Sequence, residues 1–176
     1  MSKMKKCSHL NKIAFLDRDG VINAKMPEGC YVRNWREFEF LDGAISGIQL
    51  LNNWGYKVIV VTNQRGIAKK LMTEEDVKII HQKMLNDIKK ANGKIEAVYY
   101  CPHDIGECDC RKPGIGMFLK VEEVYAVDKE NSFMIGDSLS DIEAGQKYGI
   151  RSYLLRAPEN LKSCVTKILE MINEVP

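Results

Sequence analysis

Short runs of continuously apolar residues recur along this chain, and amphipathic stretches with apolar positions at helical spacing separate them. IAFL at 13–16 leads to a helical pattern through Ile45, Ile48 and Leu51, and then to KVIVV at 57–61. Over 73–92, Val77, Ile80, Met84 and Ile88 repeat at helical spacing, with Thr73 and Asp76 as N-cap and acidic first turn. Further strands are expected at 95–100, 132–135 and 151–155. Helices are expected at 117–124 and 139–148, and a last one through Leu161, Val165, Ile168 and Ile172. A strand that is apolar on both sides must be covered on both faces, and parallel neighbours need a crossover, which a helix supplies. The fold class is therefore α/β, a Rossmann-like parallel sheet with helices on both faces. At 176 residues and 45% hydrophobic content the chain suffices for one core, so 1–176 is expected to be a single domain with its core at about 11–174.

Charge narrows the class of partner. The 26 basic and 24 acidic residues leave a net +2, without the extended positive field that nucleic acid requires, so the expected partner is a small molecule. No apolar run approaches the roughly 20 residues of a membrane span. The N-terminus, MSKMKKCSHLNK, has a basic start without the apolar stretch of a signal peptide. A cytoplasmic monomer without membrane or nucleic-acid partners is the expectation.

The polar residues that follow the apolar runs carry the chemistry. In parallel sheets ligands collect beyond the carboxyl ends of the strands, near the point where strand order reverses. Asp17-Arg18-Asp19-Gly20-Val21-Ile22-Asn23 follows the first run with two carboxylates in a glycine-permitted turn; by itself it also reads as an Asx-rich turn. The second run ends in Val61-Thr62-Asn63-Gln64, a hydroxyl and amides presented to the same crevice. Arg111-Lys112-Pro113-Gly114 places two cations at a helix entry, where they would face an anion. Met134-Ile135-Gly136-Asp137-Ser138-Leu139-Ser140-Asp141 adds two carboxylates after a fourth strand.

DRDGVIN, VVTNQ, RKP and IGDSLSDIEAG, in this order, resemble the four motifs of haloacid dehalogenase superfamily phosphatases, and the likeness spans residues 13–149. The resemblance implies a magnesium-dependent phosphatase in which Asp17 attacks phosphorus to form an aspartyl phosphate. Asp19 would protonate the leaving alkoxide and then deprotonate the attacking water. Thr62 and Lys112 would bind the phosphoryl oxygens. A phosphate dianion repels an anionic nucleophile, so a cation must neutralise both. The expected Mg2+ ligands are hard oxygens: the carboxylates of Asp17 and Asp137 and the backbone carbonyl of Asp19. Asp141 could join this shell; the simpler reading is an outer carboxylate that orients Lys112 or stabilises the start of its helix.

Cys101, His103, Cys108 and Cys110 fall within ten residues and offer three thiolates and an imidazole, a complete tetrahedral set for a structural Zn2+. Arg111 and Lys112 follow immediately, so a metal that fixes this loop also fixes those cations. CPH with CDCRKP is similar to the histidinol-phosphate and heptose-bisphosphate phosphatase branch, which implies a capless phosphatase with a zinc loop as part of its substrate wall. DRDGVIN, Gly29-Cys30-Tyr31-Val32 and Glu39-Phe40-Leu41-Asp42-Gly43 resemble the D-glycero-D-manno-heptose 1,7-bisphosphate 7-phosphatases more closely. Hydrolysis of that sugar's 7-phosphate is the expected reaction. Histidinol phosphate is the alternative substrate, and a non-catalytic scaffold for phosphorylated ligands the alternative of another class.

Glu28, Gly29, Cys30, Tyr31, Asn63, Gln64, Arg65, Arg111 and Ser138 are the expected substrate contacts. The AKMPEGCYV segment is longer than is usual for this family, and Arg65 stands where a small residue often follows TNQ. Only four residues separate His103 from Cys108, which implies a more open wall. Trp35 and Trp54 read as packing or rim residues, and Cys7, Cys164, His9 and His81 show no paired chemistry.

Overall fold

The computed structural model describes residues 10–174; Cys7 and His9 lie outside them. Strands β1 (Ile13–Leu16), β2 (Lys57–Asn63), β3 (Ala97–Cys101), β4 (Phe133–Gly136) and β5 (Arg151–Leu154) form one sheet. Its order is β3-β2-β1-β4-β5, and every pairing is parallel. The helices are α1 (Ala44–Asn53), α2 (Glu74–Lys90), α3 (Gly116–Glu122), α4 (Leu139–Tyr148) and α5 (Leu161–Asn173).

Alternation along β1 divides the core into two layers, because successive side chains of a strand point to opposite faces. Ala14 and Leu16 pack with Ile48 and Leu51 of α1, Ile80 and Met84 of α2, and Val165 and Ile168 of α5. Ile13 and Phe15 pack on the other face with Met117, Phe118 and Val121 of α3 and with Ala144 and Tyr148 of α4. Both faces are dry, which explains why β1 is fully buried and reads as an unbroken apolar run.

Local chemistry sets the helix starts. Thr73 accepts the Asp76 N–H while Asp76 accepts the Thr73 N–H, a capping box that fixes the first turn of α2. Ser138 and Asp141 make the same box at α4, and Asn160 and Ser163 make it at α5. Several bounds differ from the sequence pattern by a residue or two. The strand expected at 95–100 begins at Ala97, where its register with Ile59 starts. The second strand continues through Thr62 and Asn63 because Tyr100 and Cys101 pair with them. The helix expected at 117–124 ends at Glu122. Periodicity also misses a short 3-10 turn, Trp35–Glu37, which Asn34 caps; Trp35 stacks on Phe38 at 4.7 Å and packs as expected.

The chain moves outward from β1 through β2 to β3, then returns across β1 to β4 and β5. Strand order reverses between β1 and β4, so a crevice must open beyond their carboxyl ends. Asp17 and Asp137 are the residues that leave those two ends.

Candidate active site

The backbone brings the carboxylates together. Asp17 N–H donates to Ile135 O at 3.0 Å, which keeps the chain joined to β4 just past the strand. Gly20, at φ 84°, allows the following turn to approach Asp137 so closely that a Cβ there would collide with its carboxylate. Gly136 makes room for Asp141 in the same way. Carboxylate oxygens of Asp17, Asp137 and Asp141 consequently lie within 4.8 Å of one another.

Lys112 enters this group from the loop before α3. Its Nζ is 3.1 Å from Asp17 Oδ1 and 2.6 Å from Asp141 Oδ1, and it donates to Val61 O at 2.7 Å. Burial works against the ammonium, but Asp17 and Asp141 outweigh it and raise the Lys112 pKa above the usual lysine value. Asn63 anchors this loop, accepting the Lys112 N–H at 3.0 Å and donating to Lys112 O at 3.1 Å. Asp141 Oδ2 accepts from Ser138 N–H at 3.0 Å and Ser138 Oγ at 2.7 Å. One Asp141 oxygen thus faces Lys112 while the other caps α4.

The group carries too little positive charge. Burial, then Asp141 and Asp19, push the Asp17 carboxyl up to about 7 against the opposing pull of Lys112. The Lys25 ammonium sits 2.6 Å from Asp137 Oδ2, where it supplies positive charge. Clustered hard oxygens short of positive charge fit a hard divalent cation such as Mg2+.

Asp19 lies in a different environment. Its carboxylate accepts from Arg18 Nη2 at 2.8 and 3.0 Å, Arg18 Nε at 3.2 Å, Asn23 at 2.9 Å and Gln64 at 2.9 Å. Burial opposes its charge, yet Arg18 and these hydrogen bonds hold its pKa below the usual carboxylate value. Two carboxylates in one turn are driven in opposite directions by what surrounds them.

Above them opens a cleft of about 420 Å³. Asp17, Asp19, Asp137 and Asp141 line its floor, and Glu28, Gly29, Cys30 and Tyr31 line it from the loop before α1. Asn63, Arg65, Arg111 and Ser138 reach it as well. Gln64 departs from its expected place: it is buried, and its amide bridges Asp19 to Thr62 Oγ1, which accepts at 3.0 Å. Thr62 is buried beside it. Arg65 is paired with Asp104, a residue of the cysteine loop.

Lys25 and Lys69 also line the cleft, and sequence reasoning missed both. Isolated lysines in loops carry no periodic signal, though Lys25 does follow the DRDGVIN turn directly enough to have been considered. Among the described residues, Arg111 Nη1 is a buried donor without an acceptor.

The sulfur-rich group forms at the end of β3. Cys110 Sγ is 3.2 Å from Cys101 Sγ, 3.2 Å from Cys108 Sγ and 3.3 Å from His103 Nδ1. These separations are far longer than the roughly 2.05 Å of a disulfide and close to the ~3.8 Å between sulfurs on a tetrahedral zinc. Burial pushes the Cys101 thiol up to about 12, while hydrogen bonds from Cys110 and the Arg111 backbone bring Cys108 down to about 7 against burial. Three sulfurs and one imidazole nitrogen thus converge as a set of donors that could hold a metal ion.

Residues 12–157 match the family Polynucleotide kinase 3 phosphatase. The chain belongs to that family, within the haloacid dehalogenase superfamily. Similar members include the D-glycero-beta-D-manno-heptose-1,7-bisphosphate 7-phosphatase of Rhodopseudomonas palustris, 38% identical over 80% of this chain and 81% of its own length. The D-glycero-alpha-D-manno-heptose-1,7-bisphosphate 7-phosphatase of Campylobacter jejuni is 40% identical over 82% of this chain and 81% of its own. Among solved structures, the D,D-heptose 1,7-bisphosphate phosphatase of B. bronchiseptica, complexed with magnesium and phosphate, superposes with a TM-score of 0.77. That match has 28% identity and covers 91% of this chain and 99% of the other. Membership of this phosphatase family sets a non-catalytic scaffold aside. Among the described residues no helix is long and apolar enough to cross a membrane.

Proposed function

We propose that this phosphatase hydrolyses the 7-phosphate of D-glycero-D-manno-heptose 1,7-bisphosphate through a phosphorylated Asp17. The observation that carries the reading is the buried Lys112 between Asp17 and Asp141, beneath a cleft whose wall holds Lys69, Arg65 and Arg111. One phosphate would meet Lys112, and the second would meet the cations of the wall. The relatives' substrates support the same sugar, and because both anomers occur among them the anomer is left open.

In the first displacement a carboxylate oxygen of Asp17 bonds to phosphorus and the bond from phosphorus to the sugar oxygen breaks. The approaching phosphate dianion raises the pKa of the otherwise ionised Asp19, which takes up a proton and gives it to that oxygen. In the second, Asp19 takes a proton from a water that attacks the aspartyl phosphate, releasing inorganic phosphate and restoring Asp17. Lys112 and Thr62 stabilise the equatorial oxygens. Asp17, Asp137 and the Asp19 carbonyl would hold magnesium, which would supply positive charge to offset the repulsion between nucleophile and phosphate.

Cys101, His103, Cys108 and Cys110 hold a structural zinc in this reading. Support comes from four convergent donors directly before Arg111 and Lys112. The enzyme is a capless single domain and a cytoplasmic monomer; between β1 and α1 the described chain has only turns, bridges and the 3-10 turn.

The test is kcat/KM for the heptose bisphosphate and for histidinol phosphate, with and without Arg111→Ala. The bisphosphate should be preferred, and the variant should lose about 10-fold or more on it, as expected for a guanidinium–phosphate contact, with little loss on monophosphates. A preference for histidinol phosphate, whose ammonium Glu28 would attract, would overturn the substrate assignment.

A further inference from the structure

Beneath the catalytic turn, one buried residue of α2 touches the machinery without lining the cleft. Arg18 is fully buried, and its guanidinium is divided between two partners. Nε and Nη2 donate to the Asp19 carboxylate, and Nη1 lies 3.1 Å from His81 Nε2. Arg18 can only donate, so His81 Nε2 is the acceptor and the ring's proton sits on Nδ1. Burial, and then Arg18, depress the His81 pKa to about 3, which keeps the ring a neutral acceptor at working pH. Tyr100 packs edge-on against the ring at 5.7 Å, and Tyr100 Oη donates to Glu74 Oε2 at 3.1 Å.

The guanidinium is a rigid planar fork, so fixing one of its nitrogens fixes the direction of the others. A buried Nη1 without an acceptor would be costly, and the fork would turn to find one. Asp19 would then lose the donors that orient it.

We propose that His81 is a positioning residue for catalysis, holding the Arg18 guanidinium in the orientation that aims the Asp19 carboxylate at the reacting oxygen. This rests on the reading of Asp19 as acid and base. His81 touches neither substrate nor the reacting atoms; it acts through Arg18. The inference explains why a polar ring occupies a core position of an amphipathic helix whose other buried residues, Val77, Ile80, Met84 and Ile88, are apolar.

Leaving-group dependence separates positioning from mere structural support. An alkyl phosphate leaves as a basic alkoxide and needs the proton from Asp19, whereas p-nitrophenyl phosphate leaves as a stable anion and does not. His81→Leu, which removes the acceptor at similar volume, should lower kcat/KM on the heptose bisphosphate about 10- to 100-fold, the scale of a misaimed acid–base group. On p-nitrophenyl phosphate kcat/KM, which reports only the first displacement and not the hydrolysis of the aspartyl phosphate that both esters share, should stay within about 3-fold, since p-nitrophenolate departs without a proton from Asp19. His81→Gln, whose amide oxygen can accept from Arg18, should restore most of the loss. His81→Met is measured in parallel, so that the comparison survives if the Leu variant does not fold.

Equal losses on the two esters, unchanged turnover of the alkyl ester in both apolar variants, or a Gln variant as impaired as Leu would overturn the proposal. Asp19→Asn measured on the same pair distinguishes the two levels. If it shows no leaving-group dependence, the assignment of Asp19 itself fails; if it does and the His81 variants do not, only the role of His81 fails.

Discussion

Removing the charge of Asp17 should make the metal-free protein more stable while abolishing turnover. In the folded chain the Asp17 carboxyl rises from 3.8 to about 7, chiefly through burial, with Asp141 and Asp19 adding to it. A carboxyl raised in this way remains protonated in the folded state at pH values where the unfolded chain has already ionised. Stability from this group is therefore fully present below pH 3.8, falls as pH rises towards about 7, and is lost above it. At 1.36 kcal/mol per pH unit the full loss is about 4 kcal/mol. That figure already contains the attraction of Lys112; relaxation and water entry around the buried charge lower it further, so the net gain should be nearer 1–2 kcal/mol, or about 3–6 °C for a chain of this length. The assay is thermal denaturation of wild type and Asp17→Asn in chelator at pH 5 and pH 8. The variant should melt higher at pH 8, with a smaller advantage at pH 5. Added magnesium should narrow the gap, because a cation that binds only the folded state stabilises the wild type more. A variant that melts at or below wild type at pH 8, or an advantage that does not change with pH, would refute the electrostatic reasoning.

The purified protein should contain one zinc per chain by elemental analysis, and Cys108→Ser should lower both zinc content and melting temperature; a zinc-free protein of full activity and stability would show that the loop orders itself. Asp141→Asn should reduce kcat about 10- to 100-fold by releasing Lys112. Asp141→Ala should lose a similar amount of activity and, in addition, about 1 kcal/mol of helix cap. Equal melting temperatures for these two variants would deny Asp141 its capping role.

These predictions lean on different layers of information. The type and order of the elements could be read from the chain, since burial on both faces of a parallel strand leaves a continuous apolar run and an amphipathic helix leaves a 3.6-residue period. Capping residues at Thr73 and Ser138 are equally local. The position of DRDGVIN and IGDSLSD after apolar runs placed their carboxylates at strand ends, and the cysteine and histidine spacing placed four donors in one loop. Each of these signals lies within a few residues of the feature it specifies.

Strand order, by contrast, required the assembled sheet: β1 lies beside both β2 and β4, and that adjacency is what gives Asp17, Asp137 and Asp141 a common centre. The direction of each side chain at a strand end was settled there too, which is why Gln64 faces inward while Asn63 and Arg65 line the cleft. Lys25 and Lys69 join the cleft, and His81 meets Arg18, across separations that leave no mark in the local pattern. The sequence by itself determined which segments are strands and helices and which chemistry they carry, because propensity and periodicity act over a few neighbouring residues. Only the tertiary structure decided which charges share a site, because Coulomb energy and hydrogen bonding depend on distance in space and not on distance along the chain.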